Sequence, residues 1–367
     1  MIQTGIAAND RIAAVRHLLG EEDVQAIIVA PSSDLRYLTG AGGHASERPT
    51  LLIVPARGET MMLVPRLEAP RLARDETIRL LVWSETDDPY QVLATSVAFP
   101  GDGSVAISDQ AWAAVLLGLQ RSFPTARFVA ASPLLRRLRM LKSDDELAAL
   151  AKAANLADEA FQEVMADRFS GRSERDLASR LASMLQERGL EIGWGPSVSS
   201  GPNTASPHHL TGDRVVEEGD AVMLDFGGAL DGYQADITRT VHVGPAPADF
   251  VRVYEVVRRA QQAGVDAVRP GVAAQDVDSA ARSVIEGDGY GEYFTHRTGH
   301  GIGLDTHEEP YIVSGNTLEL EPGMTFSVEP GVYLPGRFGV RIEDIVAVTD
   351  GGVRRLNEAP RELQIVR

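Results

Sequence analysis

Hydrophobic positions change their spacing along the chain in a way that divides it in two. In the first part, short apolar runs alternate with helical spacing. Residues 11–19 have helical periodicity, and V-Q-A-I-I-V-A at 24–30 is a strand-like run followed by the turn-rich P-S-S-D. Residues 51–54 and 61–64 read as two short strands around a turn carrying Arg57-Gly58. A strand at 80–83, a helix through 89–98, a strand at 105–107 and an apolar helix at 111–119 complete the set. Strands alternating with helices predict an α/β layer arrangement, here a small mixed one. The run A-W-A-A-V-L-L-G-L at 111–119 is far too short to span a bilayer and reads as a buried helix.

The spacing changes near residue 143. S-D-D-E opens a long helix, with Ser143 as cap and Glu146 three residues on, a capping box, and the helix runs to about Asp167. A second helix begins at Ser173, with Asp176 in its third position, and stops at Gly189. Strand-like segments follow near 195–199, 220–227 and 236–243. After G-P-A-P-A-D the pattern starts again. A helix at about 249–268 is stopped by Pro270-Gly271, another at about 274–286 by Gly287, and strands follow near 292–297, 323–328 and 340–348. Helix, helix, then strands occurs twice, which predicts an α+β unit with an internal duplication of architecture and no visible residue identity. The domain boundary is expected between Arg136 and Ser143, giving units 1–140 and 141–367. The glycine-rich pieces at 40–43 and 287–291 lack the strand–loop–helix context of a dinucleotide site and read as turns.

Composition narrows the class. The 367 residues suit two domains of ordinary size, and 44% hydrophobic residues can fill a sizeable core. The chain has no cysteine, so disulfides and thiolate metal sites are excluded. The start M-I-Q-T-G-I-A-A-N-D-R has no basic cluster before an apolar core and does not read as a secretory signal. A formal net charge of −17 would repel phosphate backbones. The expectation is a soluble cytoplasmic protein with neither nucleic acid nor membrane as partner.

Candidate chemistry comes from polar residues that interrupt apolar strands. In V-M-L-D-F-G-G at 222–228, Asp225 taken alone would read as half of a salt bridge or an outward-facing edge residue. Asp236 changes that reading. The turn signal Asp231-Gly232 lies between the two, so a hairpin would set both carboxylates on neighbouring strands at similar height. Two carboxylates held together repel unless one keeps a proton or a cation intervenes. Glu329 in F-S-V-E-P-G ends one apolar strand and Glu343 in V-R-I-E-D-I-V-A-V breaks another. His300 lies in R-T-G-H-G-I-G-L-D-T-H-E-E-P, where glycines let other groups approach closely. Four carboxylates with one imidazole suit two divalent ions such as Mn²⁺, Co²⁺ or Zn²⁺. Such pairs lie roughly 3.5–4 Å apart in hydrolytic centres.

The order Asp225, Asp236, His300, Glu329, Glu343 resembles the ligand set of the metallopeptidase family with the pita-bread fold, which includes prolidase, aminopeptidase P and methionine aminopeptidase. D-F-G-G, D-I-T-R-T, G-H-G-I-G, V-E-P-G and R-I-E-D surround those residues as in that family, and the resemblance covers about 144–367. S-D-L-R-Y-L-T-G at 33–40 resembles, more weakly, the creatinase-like domain that precedes the catalytic one in the proline-directed branch. The resemblance implies a dinuclear hydrolase of the Xaa-Pro bond working through a metal-bridged hydroxide, with Mn²⁺ the expected metal. It implies that His208 contacts substrate, that His307 reaches the scissile amide or its oxyanion, and that His296 lies near the bound proline end. Arg341 would pair with a metal-bound aspartate, and Glu329 would both ligate and take a proton from the attacking water. Prolidase, which takes dipeptides, is favoured over aminopeptidase P, which takes longer chains, because the chain is short and its N-terminal domain compact. Rival classes are a metal-dependent hydrolase or lyase of a small osmolyte and a non-catalytic peptide-binding module. The intact five-residue set counts against the module, and it also counts against the metal-free chemistry of creatinase. The resemblance also implies a homodimer.

Overall fold

A computed structural model describes residues 8–72, 77–99 and 103–367. The first seven residues, on which the secretory-signal reading bears, lie outside the described residues. The chain divides into two compact units between Arg139 and Met140.

The first unit is built on one mixed six-stranded sheet. Its order is Ile78–Trp83, Thr60–Pro65, Leu51–Pro55, Val24–Val29, Ser104–Ile107, Arg127–Ala130. The Leu51–Pro55 and Thr60–Pro65 strands pair antiparallel around the Arg57-Gly58 turn, and Val24–Val29 pairs parallel with Ser104–Ile107. Strand side chains such as Ile28, Ile53, Leu63 and Val105 form one apolar cluster with Leu93 and Leu119. The 111–119 run does not form a wholly buried helix. The helix is Ala113–Ser122, and Trp112 and Leu117 are 48% and 57% exposed while Val115 and Leu119 are buried. One face packs on the sheet, and the other stays in water.

The second unit repeats one plan. Asp144–Val164 and Glu174–Glu187 form the first helix pair, and both start on capping boxes, Ser143 with Glu146 and Ser173 with Asp176. They share a core with the hairpin Ala221–Leu230/Tyr233–Val243, through Phe161, Leu181, Leu224, Phe226 and Ile237 among others. The hairpin turn places Asp231 and Gly232 at φ 51° and 92°, the two left-handed residues that a type I′ turn requires. The strands close to backbone contact at Gly227, where a Cβ would lie 1.9 Å from the Ala235 carbonyl oxygen. Ala248–Ala267 and Ala274–Gly287 form the second pair. They pack on a five-stranded sheet of order Glu308–Ile312, Gly299–Gly301, Thr325–Val328, Asp344–Thr349, Gly352–Arg355, with Val265, Val277, Phe326 and Val346 in the core. The duplication expected from the sequence is therefore present as helix pair plus sheet, twice.

Two strand expectations fail for physical reasons. Residues 292–297 are not a strand. A short 3₁₀ turn, Gly291–Tyr293, leads into irregular chain, and the carbonyls of Phe294 and His296 accept from the Arg282 side chain instead of a neighbouring strand. The 340–348 segment is two strands, Phe338–Arg341 and Asp344–Thr349, in different sheets. At the switch, Glu343 N–H donates to the carbonyl of Thr238, which brings the break against the long hairpin.

A buried ion pair fixes that junction. Arg239 and Asp344 are almost fully buried, with Nη2 donating to Oδ1 at 2.6 Å, and Arg239 also donates to the backbone carbonyls of Glu343, Ala359 and Pro360. Removing one partner of such a pair leaves a charge without its counterpart in the interior. Arg239→Met should lower unfolding stability by about 3 kcal/mol, read as a lower urea midpoint. An unchanged midpoint would contradict the structural role of the pair.

Candidate active site

The strand face, not the strand, delivers the first two carboxylates. In the hairpin register Asp225 faces Thr238, and Asp236 faces Gly227. Residues two apart share a face, so Asp225 and Asp236 project to the same side as diagonal neighbours, two positions offset rather than level. Thr238 projects there too. The second half of the unit brings the rest. His300 sits in the middle of Gly299–Gly301, Glu329 directly follows Thr325–Val328, and Glu343 occupies the gap between two strands. Gly299 is needed because a Cβ there would lie 1.8 Å from the Ser327 carbonyl oxygen.

Asp225, Asp236, His300, Glu329 and Glu343 all line one cavity of about 670 Å³. His208, His296, His307 and Arg341 line the same cavity. Ligand atoms of Asp236, His300 and Glu343, all buried, lie within 4.8 Å of one another. His300 Nε2 is 3.4 Å from Glu329 Oε1 and 3.8 Å from Asp236 Oδ2.

The electrostatics of this cluster ask for a cation. His300 Nδ1 faces the Gly301 carbonyl at 3.1 Å, which can only accept, so Nδ1 carries the hydrogen. Burial holds the imidazole pKa down at about 4, so the ring is neutral and Nε2 presents a lone pair to carboxylate oxygens. Asp236 Oδ1 is buried and has no hydrogen-bond partner among the described residues. Burial, and then the neighbouring carboxylates, push Asp236 and Glu343 well above the usual carboxylate range. An unpartnered oxygen, a lone pair aimed at anions and an all-oxygen-and-nitrogen donor set fit divalent metal ions and fit poorly with any arrangement of protons alone.

The surrounding bonds hold each group in place. Arg341 Nη2 donates to Asp225 Oδ2 at 2.6 Å, and its Nε donates to Thr238 Oγ1 at 3.1 Å. Thr238 Oγ1 in turn donates to Glu343 Oε2 at 2.7 Å. Ser327 Oγ accepts from His300 N–H and donates to Glu329 Oε1, both at 3.0 Å. His307 packs edge-on against His300, with ring centroids 4.0 Å apart. Of the adjacent pair His208-His209, His209 Nε2 is tied to buried Glu174 at 3.1 Å while His208 is exposed at the cavity. Both ring nitrogens of His296 are engaged. Nδ1 donates to the Arg297 carbonyl at 2.7 Å, so Nε2 accepts from the Tyr333 hydroxyl at 2.8 Å. The Tyr333 oxygen then accepts from Arg341 Nη1 at 3.1 Å.

Sequence reasoning missed Thr238, Ser327 and Tyr333. Thr238 carried a signal, because it stands two residues after Asp236 and must share its face. Tyr333, in an apolar strand after Pro330-Gly331, looks like ordinary core. Asp344 is half of the Arg239 pair, and Glu308 accepts from Lys142 Nζ at 2.7 Å.

Residues 148–350 match the family described as metallopeptidase family M24, and residues 11–141 match the creatinase/prolidase N-terminal domain. The chain belongs to metallopeptidase family M24. It is 42% identical over 361 residues to the probable dipeptidase PepE of Mycobacterium tuberculosis, covering 97% of this chain and 96% of that one. It is 30% identical over 356 residues to the Xaa-Pro dipeptidase of Pyrococcus horikoshii, covering 97% and 99%. The crystal structure of recombinant prolidase from Thermococcus sibiricus superposes with a TM-score of 0.95 at 39% identity, covering 99% of this chain and 100% of that one. Among the described residues no helix is long and apolar enough to cross a membrane.

Metal binding must compete with protons held by the Asp236–Glu343 pair. Their raised pKa values mean that the metal-free protein retains a proton that binding expels, so Mn²⁺ affinity should rise with pH through the pair's titration and level off above it. His300, already neutral above about pH 5, adds nothing to the slope near neutrality. Calorimetry in buffers of different ionisation enthalpy should register proton release on binding that shrinks as pH rises; buffer-independent heats at every pH would contradict the raised titration of the pair.

Proposed function

We propose that this protein is an Xaa-Pro dipeptidase. The observation that carries the reading is the buried Asp236–His300–Glu343 cluster with its unpartnered Asp236 oxygen, at the floor of a cavity of about 670 Å³ that suits a small peptide. The names of the PepE, Xaa-Pro dipeptidase and prolidase relatives support the substrate class. Asp225, Asp236, His300, Glu329 and Glu343 would hold two divalent ions, most simply Mn²⁺, with Co²⁺ or Zn²⁺ as alternatives. When bound, such ions acidify water and polarise a carbonyl.

The chain's own residues do the rest. Glu329, with Oε1 held by Ser327, is oriented to take the proton that the attacking water gives up. Arg341 fixes the carboxylate plane of Asp225, and Thr238 fixes that of Glu343. His307 and His208 reach the cavity and would donate to the oxygen that becomes negative as the amide carbon turns tetrahedral. His296 has no spare nitrogen for substrate, so it would meet the proline ring with its carbon edge. The proposal extends to the organisation. Residues 1–140 would form the creatinase-like domain and 141–367 the catalytic one, in a cytoplasmic homodimer.

Protein stripped of metal and reloaded with Mn²⁺ should hydrolyse Ala-Pro faster than Ala-Pro-Ala. Faster cleavage of the tripeptide would favour aminopeptidase P, and hydrolysis of neither would remove the peptidase reading. Asp236→Asn should abolish both turnover and Mn²⁺ retention with unchanged circular dichroism. Arg341→Met, which frees the Asp225 carboxylate to rotate, should cost about ten- to a hundredfold in metal affinity or activity.

A further inference from the structure

The ring of His208 is held by nothing of its own. It lines the cavity, it is exposed, and among the described residues it makes no hydrogen bond or ion pair. Only the chain on either side can place it. Before it, the Pro207 carbonyl accepts from Arg341 Nη1 at 3.3 Å. After it, the ring of His209 turns to Glu174, a carboxylate fully shielded from solvent. Glu174 does not line the cavity and takes no part in the metal-binding cluster.

Glu174 opens the Glu174–Glu187 helix directly after the Ser173 cap, where the helix N-terminus favours a negative charge. Its Oε1 accepts from the Ser200 N–H at 2.7 Å, the Ser200 hydroxyl at 2.8 Å and Asn203 Nδ2 at 2.9 Å. Its Oε2 accepts from the Gly212 N–H at 3.1 Å and faces His209 Nε2 at 3.1 Å. Burial by itself would raise the carboxyl pKa, but the bonds from Asn203, Ser200, Gly212 and His209 outweigh it and hold the group below its ordinary value. Glu174 is therefore ionised near neutral pH and can only accept, so His209 Nε2 carries its hydrogen. Every one of these donors lies in the 200–212 segment, and His208 stands inside it. Thr211 fastens the same segment, exchanging bonds at 2.8 and 3.2 Å with the backbone of Val198.

Resting on the dipeptidase reading, we propose that Glu174, through His209, is the positioning residue for His208. Adjacent Cα atoms are about 3.8 Å apart, so a ring pinned at one position leaves little freedom to the backbone of the next. The anchor is charge-assisted, and such bonds are roughly twice as strong as neutral ones. His209 borders the cavity as well, but its Nε2 hydrogen is already given to Glu174. A donor held in place beforehand meets the oxygen that becomes negative without first having to be ordered. Loss of the anchor leaves His208 chemically intact and free to swing. An interaction made only as charge develops then weakens, so the rate falls while substrate binding does not.

The test begins with His209→Leu, which removes the grip on the ring while Glu174 keeps its other donors. On Mn²⁺-loaded protein it should lower kcat for Ala-Pro about ten- to a hundredfold, with KM and Mn²⁺ affinity little changed. His209→Gln, which can still donate to Glu174, should retain more of the rate. In a His208→Ala background, His209→Leu should cost less than about twofold, because no ring is left to place. Glu174→Gln, checked for fold by circular dichroism, should show the same kcat loss and the same dependence on His208. A second readout needs no turnover. In Zn²⁺-loaded protein the carbon-bound ring protons of His208, assigned by their loss in His208→Ala, should give one sharp set of NMR signals. In His209→Leu they should broaden or multiply. Wild-type kcat in His209→Leu or in folded Glu174→Gln would overturn the positioning role and leave the peptidase reading standing. So would a loss that persists in full without His208, a matching loss of Mn²⁺ affinity, or an unchanged His208 signal. Wild-type protein that cleaves no Xaa-Pro dipeptide would instead remove the reading on which the proposal rests, and the NMR signals would still decide whether His209 holds the His208 ring.

Discussion

Four carboxylates and a neutral imidazole line one cavity, and the rest of the second unit is organised around that repulsion. Buried like charges are costly unless a cation or a proton intervenes. Here the proton is a poor answer. His300 has already spent its one hydrogen on a carbonyl, and Asp236 retains an oxygen with no partner among the described residues. The fold accepts an unfavourable cluster in the metal-free chain, and metal binding would turn the same cluster into a favourable one.

The duplicated plan explains how the cluster is assembled. The first helix-pair-and-hairpin half supplies Asp225 and Asp236, and the second half supplies His300, Glu329 and Glu343. Neither half could bind ions with the full set alone. The halves are sewn together by Arg341 reaching Asp225, by Thr238 reaching Glu343, and by Arg239 gripping Asp344 and the Glu343 carbonyl. These bonds cross about a hundred residues of sequence and set the carboxylate angles. Side chains held in this way need little reorganisation when charge develops during reaction.

What could be read from the sequence was what local pattern controls. Period-two alternation and the Asp231-Gly232 turn were enough to put Asp225 and Asp236 on neighbouring strands, although the register offset them by two. Capping residues announced the helices that open at Ser143 and Ser173. Some of the failures are long-range. Residues 292–297 look like a strand, but Arg282, from a helix, takes the carbonyls that a neighbouring strand would need. The short strand Ile365–Val366 exists because the distant Tyr233–Val243 strand pairs with it, whereas Glu308–Ile312 and Gly352–Arg355 pair with strands only a short turn away. Apolar content alone suggested a buried helix at 111–119, whereas only one face of it finds a sheet.

The account turns on whether the five side chains converge on a pair of ions. Crystals soaked in Mn²⁺ and measured at the manganese edge test this directly. The expected map has two anomalous peaks about 3.5–4 Å apart, both within reach of the side chains of Asp225, Asp236, His300, Glu329 and Glu343. A single peak elsewhere in the cavity, or none among these residues at saturating Mn²⁺, would contradict it.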